Sequence, residues 1–139
     1  MREKFTLGKK ERLKSRKQIE QLFDKGKSIV VTPFRVYFFV NRELPIQKGE
    51  SGLKFGTGVS ARNFKKAVDR NRIKRLTREA WRLQKNEMAK KAKEAQRQLN
   101  VFFIYTGKEL PDFKTVKDKV AIALKKLADK IDENISSHP

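Results

Sequence analysis

The 139 residues include 35 lysines and arginines against 16 aspartates and glutamates, a formal net charge of +19. That length suits one domain, and 37% apolar residues with ten phenylalanines can bury a modest core, which argues against disorder throughout. The absence of cysteine excludes disulfides, thiolate chemistry and cysteine-based zinc sites; no apolar run approaches the roughly 20 residues of a bilayer span, and no early apolar segment of the export type is present.

Read in chain order, residues 1–14 form a basic opening segment with Phe5, Leu7 and Leu13 as possible anchors, expected to run along the surface without regular structure. Ser15 followed by Gln18 fits a capping box, and Gly26 fits a helix stop. Between them Ile19, Leu22 and Phe23 share one helical face, which predicts a short helix over 16–25. Residues 29–41 read as a strand, with Val36, Phe38 and Val40 on one face and Arg35, Tyr37 and Phe39 on the other; Pro33 suits its start or an edge. Pro45, Gly49 and Gly52 mark a hairpin loop over 42–52. A second strand is predicted at 53–60, where Gly56 and Gly58 leave one face bare, a sign of close approach by another backbone. Residues 66–98 read as one long helix, 100–106 as a buried-type strand, and 114–134 as a final helix with the stripe Val116, Val120, Leu124, Leu127 and Ile131. There is no internal repeat and no linker-like stretch, so residues 1–139 read as a single domain with a tail from 136 expected to be disordered. The fold class is α+β, with helices on a small sheet.

The charge is concentrated. Residues 60–98 hold 14 basic and 4 acidic residues, a net of +10. At 100° per residue, Leu76, Ala80 and Leu83 fall at about 300°, 340° and 280° from Ile73, an apolar stripe that must pack on the sheet. Asn71, Lys74, Arg75, Arg78, Arg82 and Lys85 fall between about 100° and 200°, opposite the core, and Arg70 and Arg72 flank the stripe. Lys74 and Arg78, and Arg78 and Arg82, are like charges four apart and repel; only Asp69 and Glu79 offer relief. A ridge of one sign calls for an external polyanion, and nucleic acid is the first candidate, ahead of an anionic membrane or a merely solvated surface. Arginine suits phosphate through its planar fork, and Asn71 can donate and accept at a sugar or base edge.

No catalytic constellation is visible. His138, the one histidine, stands next to the last residue, no glycine loop of the P-loop type occurs, and Asp69 and Glu79 read as local ion pairs rather than metal ligands. Trp81 falls at the core margin and reads as packing rather than base stacking.

The string at residues 67–82, Ala-Val-Asp-Arg-Asn-Arg-Ile-Lys-Arg-Leu-Thr-Arg-Glu-Ala-Trp-Arg, closely resembles the signature of the bacterial ribonuclease P protein component, whose heart is Arg-Asn-Arg-x-Lys-Arg, here Arg70, Asn71, Arg72, Lys74 and Arg75, followed by Arg78. The resemblance extends to Phe55–Ser60, which looks like the family's Gly-rich strand, and to Glu11-Arg12-Leu13 and Leu22-Phe23-x-x-Gly26, which look like its N-terminal pattern. It covers about residues 5–130 and implies a small αβββαβα sandwich with a four-stranded sheet. It also implies a left-handed βαβ crossover through the basic helix, against the right-handed form that general rules favour in about 98% of cases.

By the same resemblance, the protein does not cut RNA itself. It binds the catalytic RNA of ribonuclease P and the 5′ leader of precursor tRNA, and the RNA removes the leader with magnesium bound on the RNA. No cofactor, membrane or DNA is expected for the protein, and the expected location is the cytoplasm. Arg70, Asn71, Arg72, Lys74, Arg75 and Arg78 match the family's contact with the catalytic RNA; Lys65 and Lys66 lie just ahead as support, and Arg62 keeps one charge of a pair usual there. Phe23 and Tyr37 match aromatic positions of the leader cleft, joined by Ile19, Arg35 and, as a weaker candidate, Tyr105. Tyr37 shares its strand face with Arg35 and Phe39, the composition of a single-strand platform. Phe23, Phe34 and Phe39 could equally be core. The sequence departs from the family pattern at Ile19, where an aromatic is common, at Ala61, where a lysine is usual, and at Thr106, where an arginine is common. Rival classes are a purely structural RNA binder, such as a small ribosomal protein, a DNA-compacting protein and a basic membrane-surface helix.

Overall fold

The computed structural model describes residues 12–41, 52–95 and 97–136. Phe5, Leu7, Glu11, residues 42–51 of the expected loop and His138 lie outside the described residues. The elements are α1 (Arg16–Lys25), β1 (Lys27–Val31), β2 (Phe34–Asn41), β3 (Leu53–Val59), α2 (Ala67–Gln84), α3 (Asn86–Ala95), β4 (Gln98–Tyr105) and α4 (Phe113–Ser136).

The ends of α1 follow the sequence signals. The Ser15 side chain accepts from the Gln18 amide at 3.3 Å, and the Gly26 amide donates to the Leu22 carbonyl at 2.9 Å. The box is half formed, because the Gln18 side chain instead accepts from Lys54 Nζ at 3.4 Å. Gly26 is required by crowding: a Cβ there would stand 2.8 Å from the Phe38 carbonyl oxygen and closer still to that of Leu22.

The expected strand over 29–41 is two strands. Thr32 and Pro33 form a two-residue turn, after which β2 runs antiparallel to β1 with Val31 opposite Phe34 and Lys27 opposite Phe38. Proline has no amide to give to a ladder, so the chain reverses there and Pro33 precedes β2.

The sheet order is β1-β2-β4-β3, so β4 lies between β2 and β3 and the hairpin expected across 42–52 is not formed. β2 and β4 are antiparallel, whereas β3 and β4 are parallel neighbours joined through α2 and α3. Register places Val36 beside Phe103, Phe38 beside Val101, and Phe55 beside Val101 on one face. That face is closed by α2 and α4, whose Ile73, Ala80, Trp81, Val116, Val120, Ala123, Leu127 and Ile131 are buried with it. Phe34 is part of this core, whereas Phe39 is half-buried on the opposite face.

The expected long helix breaks at Lys85, although no glycine or proline marks the place. A straight 33-residue helix would be about 50 Å long, and an eight-residue strand spans only about 27 Å. The break turns the chain back, so that Met88 and Ala92 of α3 reach the core. Gln84 holds the corner, donating to the carbonyls of Ala80 (3.1 Å) and Lys117 (3.2 Å). Lys85, expected on the cationic face, is buried at this corner.

The apolar arc of α2 is also rotated from the expected one. Ile73, Thr77, Ala80 and Trp81 are buried, Leu76 is half-buried and Leu83 is exposed. The buried arc therefore runs from about 340° through 0° to about 80° rather than from 280° to 0°. Its anchor is Trp81, stacked on Phe55 with centroids 4.5 Å apart and planes 15° apart, and edge-on to Phe103 at 5.8 Å. Trp81→Ala should lower the unfolding free energy by about 3–5 kcal/mol, the range for a large buried aromatic. Urea titration measures it, and a loss below about 1 kcal/mol would show that the stack does not hold α2 down.

Candidate nucleic-acid interface

With its apolar arc fixed against β3 and α4, α2 turns the opposite arc outward. Asn71, Arg72, Arg75 and Arg78, all exposed, line one open depression of about 490 Å³ together with Val68. Among the described residues no carboxylate pairs with Arg72, Arg75 or Arg78. Lys74 sits half-buried to one side, toward the core margin. Arg62, Lys65 and Lys66 are exposed in the segment leading into the helix. That segment is tied to the end of β4 by Asn63, whose amide donates to the carbonyls of Thr106 (3.2 Å) and Gly107 (3.3 Å).

Two arginines of the ridge are committed within the protein. Arg70 turns back on the chain, and its guanidinium donates to the carbonyls of Phe64 and Lys65, both at 2.8 Å. It fixes the approach of the chain to α2, and the structure does not bring it into the depression. Arg82 pairs with Glu79, its Nε donating to Oε2 at 3.0 Å. The hydrogen bond from Arg82 holds the Glu79 carboxyl below its ordinary range. This is the local relief that the like-charge spacing demands.

The second group lies on the face of the sheet away from α2 and α4. Strand pairing sets Tyr37 beside Phe102, Arg35 beside Ile104, and Gly56 beside Phe102. Phe23 of α1 meets both rings edge-on, at 4.8 Å from Tyr37 and 5.4 Å from Phe102. Phe23 remains 43% exposed, so it is a surface ring rather than core. Such edge-to-face contacts fix ring planes, and the exposed part of Phe23 stays within reach of another π-system. Arg35 is exposed and Ile19 half-buried on the same side.

Gly56 and Gly58 form the bed of Phe102. A Cβ on Gly56 would stand 2.6 Å from its ring, and one on Gly58 3.2 Å. The close approach that the bare strand predicts is thus made chiefly by a ring, with the Leu13 carbonyl oxygen at 3.3 Å as the backbone contribution. Phe102 was hidden in a strand that reads as apolar on both faces. Its alternation with Val101 and Phe103 is the signal that could have found it.

Tyr105 is not part of this surface. It stands on the closed face beside Phe34 (5.4 Å) and Phe64 (6.0 Å), is buried, and donates its hydroxyl to the Glu109 carbonyl at 2.6 Å. Its place in register with Phe34 puts it one residue out of phase with Phe102 and Ile104, hence on the other face. Burial, and then the charge of Glu109, hold its hydroxyl above the ordinary range.

Arg78 belongs to both groups. It lines the depression on α2 and also a groove shared with Arg12, Lys14, Ile19, Gly56 and Phe102. Arg12 and Lys14 belong to the opening segment, for which the sequence predicts no regular structure. They are placed because Arg12 pairs with Phe55 as an added strand residue and the Leu13 amide donates to the Phe55 carbonyl at 2.8 Å. Among the described residues no cluster of three or more carboxylates, histidines or cysteines could hold a metal ion, and no helix is long and apolar enough to cross a membrane.

A row of exposed guanidiniums beside an aromatic sheet face is an arrangement for phosphate and unstacked bases. The family model of ribonuclease P matches residues 7–128. The chain belongs to the ribonuclease P protein family. It is 36% identical over 124 residues to a ribonuclease P protein component of Porphyromonas gingivalis, covering 89% of this chain and 88% of that one. A second strain's protein is 37% identical over the same length. Among solved structures, the ribonuclease P protein of Thermotoga maritima is 28% identical with a TM-score of 0.60, covering 84% of this chain and 96% of that one. That of Staphylococcus aureus, at 23% identity, a TM-score of 0.61 and coverage of 84% and 94%, shares the fold. Membership of the ribonuclease P protein family implies a role in tRNA 5′ processing, in an endoribonuclease complex with the ribonuclease P RNA.

The ridge divides into structural and exposed cations, and this is measurable. Arg70→Ala, which leaves two carbonyls without a donor, should cost about 1–2 kcal/mol of stability. Arg72→Ala should change it by less than about 0.5 kcal/mol, as for an ordinary surface position. Equal effects in urea titration would mean that Arg70 is no more structural than Arg72.

Proposed function

We propose that the protein binds the catalytic RNA of ribonuclease P through α2 and holds the 5′ leader of precursor tRNA on the open sheet face, while the RNA performs the hydrolysis. The observation that carries this reading is the convergence of Asn71, Arg72, Arg75 and Arg78 on one depression without a carboxylate partner among the described residues. Lys74, Lys65, Lys66 and Arg62 extend the positive field around the start of α2, where the helix dipole adds to it. Arg70 supports this surface by fixing the segment before the helix.

The leader surface is Phe23, Tyr37 and Phe102, with Ile19 and Arg35 beside them. Each stacked base would gain roughly 1–3 kcal/mol. The protein's contribution is positional: cations screen the two RNAs from each other and the aromatic face holds the leader beside the RNA active site. Magnesium is assigned to the RNA, whose phosphates are its usual ligands, and the protein takes no cofactor. We assign the complex to the cytoplasm, and membranes and DNA are not among its partners.

In the assay that tests this, the protein is added to its cognate ribonuclease P RNA at low magnesium and precursor-tRNA cleavage is followed; cleavage should be strongly stimulated. No stimulation, with equal affinity for any RNA, would favour a purely structural RNA binder. Arg72→Ala should weaken binding to the catalytic RNA and reduce the salt slope by about one unit, the signature of one lost phosphate contact. Tyr37→Ala should chiefly weaken precursors with long leaders, and an equal loss for mature tRNA would remove Tyr37 from the leader surface.

A further inference from the structure

The sheet has two edges, and the chain treats them differently. The β3 edge is covered by the segment before α1: Arg12 bridges to Phe55, and the Leu13 amide donates to the Phe55 carbonyl at 2.8 Å. β1 is the other edge, and among the described residues no strand pairs with its outer side. Its ladder to β2 is unbroken from Lys27 to Val31, so it carries no bulge, and neither a charge nor a proline follows Lys27 within the strand. Edges are usually blunted by such features, because a row of unpaired amides and carbonyls templates another strand. Here Lys27 guards one end only, and Val30 is 55% exposed.

The two sides of this edge differ chemically. Ser28 and Val30 stand on the open face, in register with Tyr37 and Arg35, whereas Lys27, Ile29 and Val31 alternate onto the side covered by α4. Taking Val120 of α4 as zero, Leu124, Ala128 and Ala121 fall at about 40°, 80° and 100° and share a groove with Met88 of α3. Lys119 and Lys126 fall at about 260° and 240°, on the opposite flank. That flank lies on the β1 side, because α4 crosses β1 and β2 while α2 crosses β3. From Thr115 to Lys126 it holds no carboxylate; Asp118 and Asp129, at about 160° and 180°, point away from the sheet.

An open ladder with an exposed valine on one face and cations on the other matches an extended peptide that alternates apolar and acidic side chains. RNA has no row of amides and carbonyls with which to complete a ladder. A second copy would bring Lys27, Lys119 and Lys126 to the same edge as their counterparts, between chains of net charge +19.

We infer that β1 accepts an acidic, extended segment of another protein as a fifth strand, its apolar side chains beside Val30 and its carboxylates beside Lys27, Lys119 and Lys126. The site is three strand spacings, about 14 Å, from β3. It is therefore separate from the arginines of α2 and stays open while they hold RNA.

The probe is a synthetic peptide of about eight residues alternating aspartate and valine, titrated into the 139-residue chain. It should bind in the micromolar range, and amide hydrogen exchange should slow in β1 and stay unchanged in β3. The fully N-methylated peptide keeps the charges, has no amide for the ladder and should not bind. Lys119→Ala with Lys126→Ala should weaken the peptide about fivefold, as for two exposed ion pairs. Lys119→Arg with Lys126→Arg should retain the affinity, which separates charge from folding, and Arg72→Ala with Arg75→Ala should leave it unchanged.

Equal binding of the N-methylated peptide, or a larger loss from the arginine pair than from the lysine pair, would show a loosely held polyanion and overturn the inference. So would the absence of binding, or unchanged exchange in β1. If the lysine pair costs more affinity for the ribonuclease P RNA than for the peptide, the flank belongs to RNA and not to a protein partner. Dimers of the protein alone at micromolar concentration, with β1 protected from exchange, would assign the edge to a second copy instead.

Discussion

The stack of Trp81 on Phe55 is the contact on which the arrangement of charge depends. A helix with so many cations has little reason to hold one rotation about its axis unless its other side is committed. The indole, with Ile73, Thr77 and Ala80, commits it by burial against β3 and the neighbouring α4. A rotation of one residue, about 100°, would drive guanidiniums toward apolar rings at a desolvation cost far above the stability of an ordinary domain. The apolar arc therefore aims the arginines, and their mutual repulsion is borne by packing rather than by propensity.

The sheet separates two tasks by parity. Along β2 and β4, alternate residues either close the core with α2 and α4 or face α1. The closed face is filled by Phe34, Phe38 and Phe103, so the second face is free to present Tyr37 and Phe102. On β3 the second face carries Gly56 and Gly58 after Lys54, and the absence of side chains at the two glycines leaves the room that the Phe102 ring takes. With one ring fixed by glycines and two fixed by edge contacts, little rotamer freedom is left to be lost when a base stacks.

Cations of one ridge are not equivalent. Arg70 satisfies carbonyls of the loop before α2, Arg82 pairs with Glu79, and Lys85 is buried at the corner between α2 and α3. Those three shape the helix and its ends. Arg72, Arg75 and Arg78 remain directed outward, and Arg78 adjoins the N-terminal cations Arg12 and Lys14. The net charge of +19 is thus partly structural and partly displayed, and only the displayed part is available to a polyanion.

Much of this was legible from residue order. Composition and the ridge at 60–98 pointed to a polyanionic partner, the Arg70–Arg78 string to the family, and the alternation from Phe34 to Val40 to a two-faced strand, because charge and periodicity are local properties. Other features are not local. The break at Lys85 follows from the length of the sheet, the burial of Tyr105 from its register against Phe34, and the inward turn of Arg70 from two carbonyls that the chain brings beside it. The aromatic group of Phe23, Tyr37 and Phe102 joins three elements far apart in sequence, and only their packing makes it one surface. Residue order thus determined which chemistry the protein carries. Tertiary structure decided which side chains meet, because strand register and helix rotation are set by how the whole apolar face is covered.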